Sequence, residues 1–179
     1  MNGIDRILHL LGRVSVPPGY IFPTGADRSS IEKFENEFGI QLPVDLKNWL
    51  EISNGPLVGP GGIFGIGNVS NGLSIANHLR LYPAWPARGW IPIAADGCGN
   101  YYALDFSGAY KDLHPIIFVE PSIDDLEPAY VVASCLWIFL ESLLLREVHE
   151  SRWPFDREEV VKRDPNILRV IGISLPWEV

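Results

Sequence analysis

Residues 90–106 constrain the fold more than any other stretch of this chain. They read Trp90-Ile91-Pro92-Ile93-Ala94-Ala95, then Asp96-Gly97-Cys98-Gly99-Asn100, then Tyr101-Tyr102-Ala103-Leu104-Asp105-Phe106. The flanks are rich in β-branched and aromatic side chains, and the middle holds turn formers, so the stretch predicts strand, turn, strand. Gly97 and Gly99 can take positive φ without a Cβ clash, which lets the loop fold back tightly. A hairpin alone is marginal in water and needs neighbours to cover it. Those neighbours must come from helices in the first half, and from a further strand and a long apolar helix in the second.

The first half offers several helices. Ile4, Ile7, Leu8 and Leu11 recur at helical spacing before Gly12, which predicts a short docking helix. Residues 13–27 hold Pro17, Pro18, Gly19, Pro23 and Gly25 and read as an extended connector. Ser29 to Gly39 predicts a helix with Ser29 as its cap, Glu32 completing a capping box and Gly39 as its stop. Leu42-Pro43 opens a second helix that ends at Asn54-Gly55. Gly65-Ile66-Gly67-Asn68-Val69-Ser70 imitates a dinucleotide fingerprint but lacks the last glycine, and no long apolar strand precedes it. Its glycines instead suit a short strand, Ile63 to Ile66, passing close to other backbone. Residues 71–81 read as helix or loop.

After the hairpin, Pro115-Ile116-Ile117-Phe118-Val119-Glu120 predicts a buried third strand, and Tyr130 to Ala133 a brief fourth. Ser134 is placed to cap a helix running to Val148, apolar over most of its circumference and hence sandwiched in the core. The apolar run Ala129 to Leu145 is interrupted by Glu141 and Ser142 and is too short to span a membrane. A charged helix over Asp156 to Arg163 and a last turn from Asp164-Pro165 close the chain.

Charge is distributed unevenly. Residues 1–89 balance, with seven basic and seven acidic side chains, whereas residues 90–179 carry seven basic against fifteen acidic. Asp96, Asp105, Asp112, Glu120, Asp124, Asp125 and Glu127 face only Lys111 within 96–127. Such a field repels nucleic acid and attracts a basic partner; it equally serves plain solubility. Cys98 and Cys135 form no CxxC pair, and His9, His78, His114 and His149 are scattered, so no zinc site is expected. Two cysteines and a first stretch, Met1 to Arg6, without signal-peptide character suit a reduced cytoplasmic setting. No nucleophile elbow, P-loop or metalloprotease spacing occurs, so no catalytic residue is assigned. Asp96 and Asp105 are a carboxylate pair, but an Asx turn and a backbone bond explain them better than acid–base work. Trp49, Trp90 and Trp137 are expected in the core. Trp85, Trp153 and Trp177 stand beside prolines, either covering the core edge or offering a partner an anchor.

Three stretches together resemble the SUKH superfamily, which includes the yeast Smi/Knr-type cell-wall regulators. They are Ile31 to Gly55, Gly61-Gly62-Ile63-Phe64-Gly65, and Trp90 to Asp105 with its Trp-Ile-Pro-Ile-Ala core followed by Asp96-Gly97-Cys98-Gly99-Asn100. The resemblance covers roughly residues 29–148. It implies a single α+β domain with a mostly antiparallel sheet and packed helices, residues 1–28 forming an N-terminal docking segment and 149–179 a C-terminal helical extension. Asn54, Gly55, Trp90, Gly97, Gly99, Asn100 and Asp105 are then motif residues of structural role. Bacterial members are commonly immunity proteins that bind a cognate nuclease or deaminase toxin, and no catalytic residue, metal or cofactor comes with the resemblance. The expected partner is therefore a basic toxin domain, rather than nucleic acid or membrane, met by Asp96, Asp112, Glu120, Asp124, Asp125 and Glu127. The alternative is a regulatory or scaffold module unrelated to toxins.

Overall fold

In the computed structural model, which describes residues 3–179, the hairpin is the first half of a four-stranded antiparallel sheet. The reading of the chain's start touches Met1 and Asn2, which lie outside the described residues. The strands β1 (Trp90–Ala95), β2 (Tyr101–Asp105), β3 (Ile116–Val119) and β4 (Tyr130–Ala133) follow one another across the sheet. Trp90 pairs with Asp105 and Ala95 with Tyr101, so the connecting loop spans residues 96–100 as expected. One extra residue bulges from β1 between Pro92 and Ala94. A bulge on an edge strand is where a proline, lacking an N–H, costs the ladder least.

The strands β2 and β3 are buried along their whole length, which explains their unbroken apolar runs. Helices cover the sheet on both sides. On one face Tyr102 meets Phe139 of α6 (Leu136–Glu147), ring centroids 5.1 Å apart. On the other, Tyr101 meets His78 of α4 (Ile75–Leu81) at 5.1 Å and Trp85 of α5 (Trp85–Arg88) at 5.5 Å. The remaining helices build outward: α1 (Gly3–Leu11) and α3 (Val44–Ile52) pack on α6, with the Trp137 indole donating to Asp45 at 2.9 Å. The result is the α+β arrangement with an antiparallel sheet that the resemblance implies.

Both edges of the sheet are guarded. Along β1, Phe64 N–H donates to Ile93 O at 2.8 Å and Ala95 N–H to Gly62 O at 3.3 Å, so residues 62–65 act as a fragmentary strand. Along β4, Val131 N–H donates to Ser174 O, and the Trp153 indole donates to Val132 O at 2.9 Å. Covered edges deny other chains a template for pairing.

Two helix starts differ from the sequence reading. The cap of α2 (Arg28–Phe38) is Asp27, whose carboxylate accepts from Ser30 N–H at 2.7 Å; Ser29 sits inside the first turn and no capping box with Glu32 forms. Cys135, not Ser134, occupies the N-cap position of α6, without a side-chain capping bond. Ser134 is occupied elsewhere: its N–H and hydroxyl both donate to the buried Asp164 carboxylate, at 2.6 and 2.5 Å. That contact ties the turn Pro165–Arg169 and α7 (Arg157–Arg163) to the start of α6. In α2 a carboxylate takes the cap in place of the serine, and at α6 a carboxylate from another segment engages the serine instead.

Candidate partner-binding surface

The hairpin loop is closed by its own side chains. Asp96 Oδ1 accepts from Cys98 N–H at 2.7 Å and Asn100 N–H at 3.1 Å, and Oδ2 from the Asn100 amide at 2.8 Å. Gly97 and Gly99 have φ of 83° and 97°, which the turn requires. At the far end of the strands the buried Asp105 accepts from Ser107 N–H at 2.9 Å and from the Trp90 indole at 3.0 Å. The two carboxylates thus sit at opposite ends of β2, each held by local donors, and do not converge on a reacting atom.

Asn54 plays a similar structural part. Its amide donates to Ile66 O at 2.9 Å and accepts from Ile66 N–H at 2.8 Å, standing in for a strand partner. Gly65 packs against it so closely that a Cβ would lie 2.4 Å from Asn54 Oδ1 and 2.6 Å from Gly55 N. Gly65 and Gly67 therefore serve close packing and a positive φ, not a phosphate cradle.

The six acids singled out from the sequence fall into distinct places. Asp112, on the β2–β3 loop, pairs with Arg169 at 2.9 Å. Glu127 pairs with Arg88 at 3.6 Å. Asp96 belongs to the hairpin loop. Glu120, Asp124 and Asp125 follow β3 and have no cationic partner among the described residues. Tyr101 pairs with Val119, so Glu120 leaves the sheet at the same end as the hairpin loop. Asp124 Oδ1 accepts from Leu126 N–H at 2.8 Å, and the Trp85 indole donates to Asp125 O at 2.7 Å. The acidic loop is thus pinned by a hydrogen-bonded turn and by a core tryptophan.

This loop also carries apolar surface that the charge pattern did not reveal. Ile123 is 78% exposed and Leu126 38%, interleaved with the carboxylates. Their signal was present as aliphatic residues in an acidic turn, outside any strand or helix period. The proline-flanked tryptophans resolve the other way: Trp85 and Trp153 are 0% and 3% exposed, so they are core residues, and Trp177 is partly buried. Trp137, expected in the core, lies partly exposed at its rim.

The surface grooves differ in their titratable lining, and one between α2 and α3 holds Arg28, Glu32, Glu35, Lys47 and Glu51. A groove of about 530 Å³ beneath Tyr20–Pro23 is lined by residues such as Asn54, Leu57, Val69 and Leu73, with no Asp, Glu, Lys, Arg, His or Cys among them. Among the described residues no three His, Cys, Asp or Glu side chains are grouped to hold a metal ion. No described helix is long and apolar enough to cross a membrane. Tyr101 is pushed up to about 12, mainly by burial with Tyr82 and Asp96 adding, and burial also raises the Cys135 thiol. Neither residue is thereby primed as a nucleophile.

A short antiparallel meander clad by helices on both faces, with structural carboxylates and a charged loop at one sheet end, defines an α+β domain. The profile of the SMI1/KNR4 family (SUKH-1) matches residues 25–142, and the chain belongs to that family. Comparison with curated proteins gives no match.

Proposed function

We propose that this chain is a non-enzymatic protein-binding domain, an immunity protein that neutralises a cognate toxin of nuclease or deaminase type by direct association. The reading is supported by membership in the SUKH-1 family. The observation that carries it to a surface is the run Glu120 to Leu126, where uncompensated carboxylates alternate with exposed Ile123 and Leu126. Toxins that act on nucleic acid present basic clefts. An acidic rim with apolar contacts complements such a cleft, steers encounter and excludes acidic partners. Inhibition follows from occupation of the cleft in the cytoplasm, with no bond made or broken.

The test is co-purification and calorimetry with the toxin domain encoded beside its gene. A Kd below about 10 nM is expected. The triple reversal Asp124→Lys, Asp125→Lys, Glu127→Lys is expected to slow association at least about tenfold at low salt. Failure of the neighbouring toxin to bind, or association unchanged by the reversal, contradicts the proposal.

A further inference from the structure

An aromatic row crosses one face of the sheet and ends in solvent. The rings of Tyr102, Phe118 and Tyr130 follow one another over β2, β3 and β4, with centroids 5.1 and 4.9 Å apart. Phe155 extends the row 6.0 Å beyond Tyr130. Burial falls along it: Tyr102 and Phe118 are buried, Tyr130 half-buried, and Phe155 57% exposed. The buried end rests on Phe139 and Trp153, so the outer rings are backed by rigid core.

The register pairs Phe118 with Tyr130, and Glu120 follows Phe118 by two residues, so it leaves β3 near the Tyr130 ring; burial, with Tyr102, Glu120 and Asp96 adding and Arg146 opposing, raises the Tyr130 phenol above its usual range. Arg146 is held by Glu147 at 3.2 Å, donates to the Tyr102 hydroxyl at 3.4 Å and lies 5.5 Å over the Trp153 ring. Glu120 has no cationic partner among the described residues. The site therefore offers a supported ring surface beside an unpaired carboxylate.

We propose that the open end of this row, Tyr130 and Phe155 beside Glu120, receives an arginine side chain of the protein partner. A guanidinium stacks on a ring face while its fork donates to a carboxylate, and it sheds water more readily than an ammonium. A purely apolar occupant leaves Glu120 desolvated and unpaired, and a nucleic-acid backbone is repelled. The assignment rests on the protein-binding reading above and names the partner group that a contact centre on this face takes.

The probe is a blocked Gly-Arg-Gly peptide titrated into the full chain and followed by aromatic and amide NMR, with citrulline in place of arginine as the control. Saturable shifts confined to Tyr130, Phe155 and Glu120 are expected, roughly tenfold weaker binding for the citrulline peptide, and comparable losses in Phe155→Ala and Glu120→Gln. Both variants should retain the parent melting curve. Shifts elsewhere, an equal response to citrulline, or unchanged affinity in both variants overturns the assignment. If the neighbouring toxin binds these variants as tightly as the parent, the arginine contact is refuted while the immunity reading stands. If the peptide docks here and the toxin does not bind at all, the arginine site stands and the immunity reading falls.

Discussion

Gly65 shows most directly how single residues hold this protein together. Its missing side chain lets the 62–66 segment lie against Asn54 and Gly55, where the Asn54 amide completes two backbone hydrogen bonds. Gly65→Ala forces that contact apart and is expected to destabilise by about 1–3 kcal/mol. Gly72→Ala, with nothing within 4 Å of the added carbon, should change stability by less than about 0.5 kcal/mol, both read by urea unfolding. His78 carries a pH dependence. Its ring stacks on Phe64 at 4.2 Å, and burial lowers its pKa below 6.5, opposed by the bond to Gly72 O at 3.1 Å. The unfolded state then binds the proton more readily. Its contribution is complete above pH 6.5 and is lost as pH falls from there through the lowered folded value. Melting temperature should drop over that window in the parent and drop less in His78→Gln. At this scale the sequence was legible where chemistry is local: Asp96 closing its own Gly-rich turn follows from residue type and spacing. The Trp90 indole on Asp105, fifteen residues away, follows only once the hairpin register brings the strand ends together.

Secondary elements were legible in kind and less so at their ends. The strands and principal helices announce themselves through period and breaker residues, and β2, β3 and α6 through continuous apolar runs. Caps were not, because adjacent polar residues compete and the outcome depends on distant partners. Ser134 lost its cap role to an ion-like bond with Asp164, thirty residues on. The consequence is testable. Asp164→Ala strands the buried Ser134 N–H and hydroxyl and should cost about 1–3 kcal/mol, loosening α7 and the C-terminal turn first. Ser134→Ala removes the hydroxyl bond alone and should cost about 1 kcal/mol. Hydrogen exchange across residues 156–170 separates the two, with protection lost mainly in the Asp164 variant. The exposure of Ile123 and Leu126 is not legible in the sequence for a related reason: aliphatic residues in a turn carry no period, and only the folded loop shows which of them stay outside.

For the whole molecule, the sheet buried on both faces leaves function to its ends and to the loops there. Charge counting along the chain gave an undivided acidic stretch. Folding divides it: Asp112 and Glu127 are matched by Arg169 and Arg88, whereas Glu120, Asp124 and Asp125, beside exposed apolar side chains, have no cationic partner among the described residues. Arg88 and Arg169 are distant in sequence from the acids they neutralise, so this division was not legible before the fold. Toxin neutralisation by charge-steered binding is tested most directly by the association rate of the full chain with the toxin domain encoded beside its gene, followed across a salt series. Tight binding is expected, with an association rate that falls steeply with ionic strength and slows about tenfold on reversing Asp124, Asp125 and Glu127. An absence of binding, or a rate indifferent to both salt and charge reversal, contradicts it.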